Sequence, residues 1–171
     1  KIIAVTGSNG KTTTSLLIEY IFNKAKKNVK AVGNIGRGFC MQIFYNDYKY
    51  YILELSSFQL RDSSNLTPHI AIILNITKDH IKEHYSFKNY ISSKMKIIKN
   101  QSSGNHFIFS FDDHNLKEEI QKLKVRSIFY SFSSSDKILK KRMPFSYSYI
   151  DNTKIKVLTN KNQFTMDINQ L

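Results

Sequence analysis

Ile2-Ile3-Ala4-Val5-Thr6-Gly7-Ser8-Asn9-Gly10-Lys11-Thr12-Thr13-Thr14 is the stretch whose reading decides the fold. Ile2 to Val5 is an apolar run that reads as a buried strand, and Thr6 to Gly10 is a turn. Leu16, Leu17, Ile18, Tyr20, Ile21 and Phe22 then fall in a helical pattern. Strand, glycine turn and helix in this order build a phosphate cradle. Glycines let backbone N–H groups point inward with no Cβ in the way. The helix start adds unsatisfied donors and partial positive charge. Gly7, Ser8, Asn9, Gly10, Lys11, Thr12 and Thr13 are therefore the candidate nucleotide-binding residues. Lys11 would reach β- and γ-phosphates and the Thr12 hydroxyl would ligate Mg²⁺. The strict G-x-x-x-x-G-K-[ST] pattern would place its first glycine at position 5, which is Val5, so this loop is a shortened variant.

The 171 residues, 41% of them apolar, suffice for one sizeable α/β domain. A single cysteine, Cys40, excludes an internal disulfide and points to a reducing compartment. No apolar run approaches a membrane span, and the chain reads as having no signal peptide. Lys1 opens the chain without an initiator Met and runs straight into a strand, which reads as a piece of something longer. The net charge of +13 invites a nucleic-acid reading. The lysines are scattered, however, and phosphate-rich small ligands tolerate the same charge.

Along the chain, Thr14 to Lys27 reads as a helix and Val29 to Val32 as a short strand. Gly33-Asn34-Ile35-Gly36 is a second glycine-bracketed turn, suited either to close backbone approach by a ligand or to a plain turn. Phe39 to Phe44 reads as a helix and Tyr48 to Leu55 as a strand. Glu54 near that strand's carboxyl end is placed where open α/β sheets bind ligands. A carboxylate there suits the second Mg²⁺ partner of a phosphate loop, and also a solvated strand end. Ile70 to Ile76 is the strongest strand and reads as central and parallel. Asp79-His80 follows it, as metal or substrate contacts or as a structural pair. Ser86 suits the N-cap of a helix from Phe87 to Lys99, with Phe87, Tyr90, Ile91, Met95 and Ile98 as its apolar face. By charge pattern alone Lys94 on that helix is one more solvated lysine. His106 to Phe111 reads as a strand, Leu116 to Leu123 as a helix behind an Asp112-Asp113 turn, and Arg126 to Phe132 as a strand. Ser133 to Arg142 reads as a polar, basic loop. Ser146 to Ile150, Lys154 to Thr159 and Gln163 to Ile168 alternate like a β-meander. The fold class is α/β: a P-loop-type, mostly parallel sheet flanked by helices, with a small β-rich C-terminal appendage, in one domain over residues 1–171.

The segments GSNGKTT, GNIG, ELSSFQL and NITKDHIKEH, with Lys94 after them, resemble the central ATP-binding domain of the Mur ligases. GSNGKTT alone would equally suit any Mur ligase or folylpolyglutamate synthase. ELSSFQL with GNIG is closest to the D-glutamate-adding members. The resemblance is strong from Lys1 to about Asn100 and weaker beyond. It implies an ATP-dependent ligase of peptidoglycan precursor synthesis, in which ATP activates a carboxylate as an acyl phosphate and an amine displaces phosphate. UDP-N-acetylmuramoyl-L-alanine and D-glutamate would be the substrates, and ATP with two Mg²⁺ the cofactors. The parent would be cytoplasmic and monomeric, without nucleic-acid or membrane partners. By matching position, Lys11 and Thr12 would hold phosphates and the first Mg²⁺, with Glu54 as its carboxylate ligand. Asn34, Ser56 and Gln59 would face the muramoyl substrate. His80 and a carbamylated Lys94 would hold the second Mg²⁺. The resemblance thus replaces the solvated reading of Lys94. Arg37-Gly38-Phe39 replaces a family proline, and Lys82 stands where the family is acidic. The family's uridine-binding and C-terminal domains would lie outside residues 1–171, so the segment by itself is expected to be inactive. A nucleotide-binding module without ligase chemistry is the alternative; it would have no need of Glu54, His80 and Lys94 together.

Overall fold

The computed structural model describes residues 1–78, 81–123, 127–133, 146–151, 154–158 and 163–167. Asp79, His80, Arg126, Thr159, Ile168 and most of the polar loop read at 133–142 lie outside them. The chain runs β1 (Ile2–Thr6), α1 (Lys11–Lys24), β2 (Val29–Gly33), α2 (Phe39–Tyr45), β3 (Tyr50–Glu54), α3 (Ser57–Asp62), β4 (Ile70–Ile73) and α4 (Phe87–Met95). A 3₁₀ turn (Lys96–Ile98), β5 (His106–Ser110), α5 (His114–Gln121), β6 (Ile128–Ser133), β7 (Ser146–Asp151), β8 (Lys154–Leu158) and β9 (Gln163–Asp167) follow.

The nine strands among the described residues join one sheet in the order β2-β3-β1-β4-β5-β6-β7-β8-β9. Pairing is parallel from β2 through β7 and antiparallel for β7-β8-β9. The β-rich C-terminal part is thus attached edge-on: β7 lies parallel to β6, with Tyr130 opposite Ser146, and the meander extends the sheet outward.

The strand pleat sorts the core onto two faces. Ala4, Leu53, Ala71, Ile73 and Phe107 face one side, where α3, α4 and α5 contribute Leu60, Tyr90 and Leu116. Ile3, Val5, Ala31, Ile52 and Ile72 face the other, covered by Ile18 and Phe22 of α1. Leu16, Leu17, Tyr20 and Ile21 share the apolar pattern of α1 but lie exposed. At 100° per residue, the packed stripe through Ile18 and Phe22 leaves them on the outer side.

Several element ends differ from the sequence reading. Helix α1 begins at Lys11, not Thr14, because Gly10 adopts a left-handed conformation (φ 82°) and accepts the Thr14 N–H at 3.0 Å. Strand β4 stops at Ile73, not Ile76. Leu74 N–H makes the last ladder bond, to the Thr6 carbonyl; beyond it the Asn75 carbonyl accepts the Ser8 N–H of the glycine loop and Ile76 N–H donates to the Asp113 carboxylate. The helix read to Lys99 is α-helical only to Met95 and tightens into the 3₁₀ turn. Its predicted cap holds, with the Ser86 hydroxyl accepting the Asn89 N–H at 3.1 Å.

Strand β2 is one edge of the sheet. Its outward N–H groups at Ala31 and Gly33 go to the Glu19 carboxylate (2.9 Å) and to the Arg37 carbonyl (2.7 Å). Glu19 also pairs with Arg37 at 3.4 Å and Lys30 at 3.7 Å.

Candidate active site

Parallel pairing brings the carboxyl ends of β2, β3, β1 and β4 side by side, with Val5 and Gly33 both in register with Glu54. The segments leaving these ends carry the sequence-predicted site residues, His80 excepted because it lies outside the described residues. In open α/β sheets this is the ligand-binding edge.

The loop after β1 is held by the segment after β4. Ser8 N–H donates to the Asn75 carbonyl at 2.9 Å, and Asn9 N–H to the Asn75 side-chain oxygen at 2.9 Å. The Asn75 amide returns a bond to the Asn9 carbonyl at 3.1 Å. A Cβ at Gly7 would come within 3.0 Å of Leu74 Cβ, so the loop closes tightly on its support. With the Ser8 and Asn9 amides engaged, the donors that open α1, from Lys11 to Thr13, have no intrahelical acceptor and face the cradle. The Lys11 ammonium folds back over the loop and donates to the Gly7 and Ser8 carbonyls, each at 2.9 Å. Thr12 and Thr13 are exposed in the first turn of α1.

Glu54 is 1% exposed. Its Oε1 accepts from the Asn34 amide at 3.1 Å. Its Oε2 is buried without a hydrogen-bond partner among the described residues. Burying a bare carboxylate oxygen is unfavourable by several kcal/mol unless a cation or donor meets it. A hydroxyl from Thr12 and a carboxylate from Glu54 are hard oxygen donors of the kind Mg²⁺ prefers, so the residues present fit that ion. Among the described residues no three His, Cys, Asp or Glu side chains cluster as a metal site. The GNIG turn is more than a plain turn: the Asn34 N–H and side chain both bond Glu54, the former to its carbonyl at 3.0 Å.

Lys94 is 2% exposed, which corrects the solvated reading from charge pattern. The apolar face of α4 packs on the sheet, so the side chain points inward rather than outward. Its Nζ donates to the Gly7 carbonyl at 2.9 Å, contacts the Thr6 hydroxyl at 3.5 Å and lies 4.7 Å from the Tyr90 ring centre. Lys11 and Lys94 thus converge on one carbonyl. Ser56 caps α3 in a reciprocal box: its hydroxyl accepts the Gln59 N–H at 3.2 Å, and Gln59 Oε1 accepts the Ser56 N–H at 2.9 Å. Ser8, Lys11, Asn34, Ser56, Tyr90 and Lys94 help line a cleft of about 270 Å³ at this edge. Gln59 is outside that lining, its carbonyl committed to the cap. A larger groove of about 730 Å³, beside Phe39, Phe44 and His69, has no phosphate cradle.

Three residues at this edge escaped the sequence reading. Asn75 braces the loop, and its signal is its place just past a central strand's carboxyl end. Tyr90 was placed on the apolar face of α4, yet its hydroxyl bonds the Ser8 hydroxyl at 2.8 Å. His84 carries no local signal beyond its residue type and is nevertheless buried.

A shortened glycine loop opening a helix, a lysine over it and a buried carboxylate on the neighbouring strand make up an arrangement of P-loop type. The Mur ligase middle domain family matches residues 5–171, and the chain belongs to that family. It is 40% identical to UDP-N-acetylmuramoylalanine–D-glutamate ligase of Bacteroides fragilis, a match covering 100% of this chain and 37% of that protein. The chain therefore spans well under half the length of that relative. Among solved structures it is similar to a UDP-N-acetylmuramoyl-L-alanyl-D-glutamate–2,6-diaminopimelate ligase (TM-score 0.71, 20% identity, 98% of this chain and 39% of that one). It is also similar to MurF ligase from Thermotoga maritima in complex with ADP (TM-score 0.63, 21% identity, 98% and 40%). These two likenesses concern the fold.

Proposed function

We propose that this chain is the phosphoryl-transfer centre of an ATP-dependent ligase that joins D-glutamate to UDP-N-acetylmuramoyl-L-alanine. The observation that carries the reading is the meeting of Lys11 and Lys94 at the Gly7 carbonyl, with the bare Glu54 oxygen at the end of the neighbouring strand, in a chain 40% identical to a ligase of that name.

In this reading the alanine carboxylate attacks the γ-phosphorus of ATP and ADP leaves, giving an acyl phosphate. The D-glutamate nitrogen then attacks the acyl carbon, the C–O bond breaks, and inorganic phosphate departs with the electron pair. The residues position the reactants and neutralise charge. Lys11 exchanges its two loop carbonyls for the β- and γ-phosphates, and the amides opening α1 receive phosphate oxygens with the helix dipole behind them. Thr12 and Glu54 would hold one Mg²⁺, and His80 with Lys94 a second. Mg²⁺ when bound supplies charge neutralisation for the transferring phosphoryl group. Asn34 orients Glu54 and, with Ser56, faces the muramoyl substrate. Gln59 contributes by fixing Ser56 through the cap. Lys94 serves as a carbamate: its ammonium gives up one proton, the neutral nitrogen adds to the carbon of CO₂ and loses a second, and a single negative charge shared by two oxygens replaces the cation. The reading includes a cytoplasmic, monomeric parent; no helix among the described residues is long and apolar enough to cross a membrane.

The test uses the full-length protein with Mg-ATP, UDP-N-acetylmuramoyl-L-alanine and a panel of amino acids. Phosphate release should depend on D-glutamate, and Lys11→Ala should abolish Mg-ATP binding in calorimetry. Preference for another amino acid overturns the substrate assignment, and equal ATP binding by Lys11→Ala overturns the cradle.

A further inference from the structure

His84 is 2% exposed and lies between two helices that carry different walls of the cleft. Its Nε2 is 2.9 Å from the hydroxyl of Ser57, the first residue of α3. Its Nδ1 is 3.4 Å from the hydroxyl of Ser93, which precedes Lys94 on α4. The ring stacks on Phe58 at 4.8 Å and meets Tyr90 edge-on at 5.4 Å. The Ser93 hydroxyl donates to the Asn89 carbonyl at 2.8 Å, so its oxygen is left to accept from Nδ1–H. In the neutral ring this assigns Nε2 as the acceptor of the Ser57 hydroxyl proton. Ser57 lines the cleft and follows Ser56 directly. One imidazole therefore ties the start of α3 to the turn of α4 that carries Lys94.

We propose that His84 is a positioning residue: it fixes α3 against α4 and so sets the distance of the Ser56–Ser57 wall from the phosphate loop and Lys94. It acts through Ser57. The proposal rests on the ligase reading above, in which this wall receives the muramoyl substrate and the loop receives ATP. The stronger tie is the one to Ser57, since 2.9 Å is a normal hydrogen bond and 3.4 Å a long one. Losing it should loosen the substrate wall and leave the loop, which Asn75 and Tyr90 hold independently.

The experiment compares His84→Gln, which keeps an amide near the Nε2 position, with His84→Asn, which keeps one only near Nδ1, in the full-length protein. His84→Asn and Ser57→Ala should each raise KM for the muramoyl substrate by about tenfold, as expected for one lost buried hydrogen bond, with KM for ATP within about twofold. His84→Gln should stay within about twofold of wild type on both. The double variant His84→Asn/Ser57→Ala should be no worse than either single, because both cut the same tie. Equal effects of Asn and Gln, equal shifts in both KM values, or additive losses in the double variant overturn the proposal. Where His84→Asn does not fold, Ser57→Ala decides by the same KM split. A wild-type protein that does not turn over the muramoyl substrate overturns the ligase reading instead. The clamp is then read from melting temperatures of the same four-member cycle, where non-additivity supports it and additivity rejects it.

Discussion

At Gly33 the backbone has φ 97°, and an added Cβ would lie 2.3 Å from the Glu54 carbonyl oxygen. Gly33→Ala should therefore destabilise the chain by about 2–4 kcal/mol, read as a lowered denaturation midpoint, because it adds left-handed strain to a backbone clash. Through Asn34 it should also disturb the Glu54 carboxylate, so metal-dependent ATP binding should weaken beyond what the stability loss explains. Lys94 yields a different expectation. If its carbamate is a metal ligand, Lys94→Ala in the full-length protein loses most activity and a short added carboxylate partly restores it. Lys94→Arg does not substitute, since guanidinium keeps its positive charge. Full activity in Lys94→Arg, or unchanged activity after rigorous removal of CO₂ and bicarbonate, rejects the carbamate. Neither the burial of Lys94 nor that of Glu54 is legible from residue type alone. Lysine and glutamate are ordinarily solvated, and it is the packing of α4 on the sheet, a long-range event, that turns Lys94 inward.

Element ends show how local signals yield to distant partners. The strand–turn–helix at the N-terminus and the cap at Ser86 were readable because each depends on residues close in sequence. The end of β4 was not, because Asn75 and Ile76 are claimed by the phosphate loop and by α5. Asp113 does two jobs there. It caps α5 through the Leu116 N–H at 3.2 Å, and it receives the Ile76 N–H. Asp113→Ala should destabilise by about 1–3 kcal/mol, more than a cap alone, and its calorimetric ATP affinity should fall because the brace under Asn75 slackens. A loss confined to stability, with ATP affinity intact, would separate α5 from the site. Gln59 carries two signals at once. Its amide suits a substrate contact, and its three-residue spacing from Ser56 also makes it half of a capping box, which engages its side-chain carbonyl.

For the whole molecule, parallel strand order decides where chemistry can occur. β2, β3, β1 and β4 deliver their ends to one edge, and that edge is open, with Asn34 of the cleft and Thr12 and Gln59 beside it exposed. Phosphoryl transfer needs water excluded from such a site. Residues 1–171 by themselves should therefore give no amide product with ATP, Mg²⁺, D-glutamate and UDP-N-acetylmuramoyl-L-alanine, whereas the full-length protein should. Turnover by the segment at the full-length rate refutes this. The two edges of the sheet are also unlike. On β2, Glu19 and the Arg37 carbonyl occupy the outward N–H groups of Ala31 and Gly33. β9, at the other end of the strand order, pairs only with β8 among the described residues, and its Phe164 and Met166 are exposed. Unsheltered edges recruit strands from other chains, and side-chain caps deter them. Among the described residues the opening for a mispaired or fused strand is therefore beyond β9, six strands away from β1, and the glycine-loop end of the sheet is insulated from pairing that begins there.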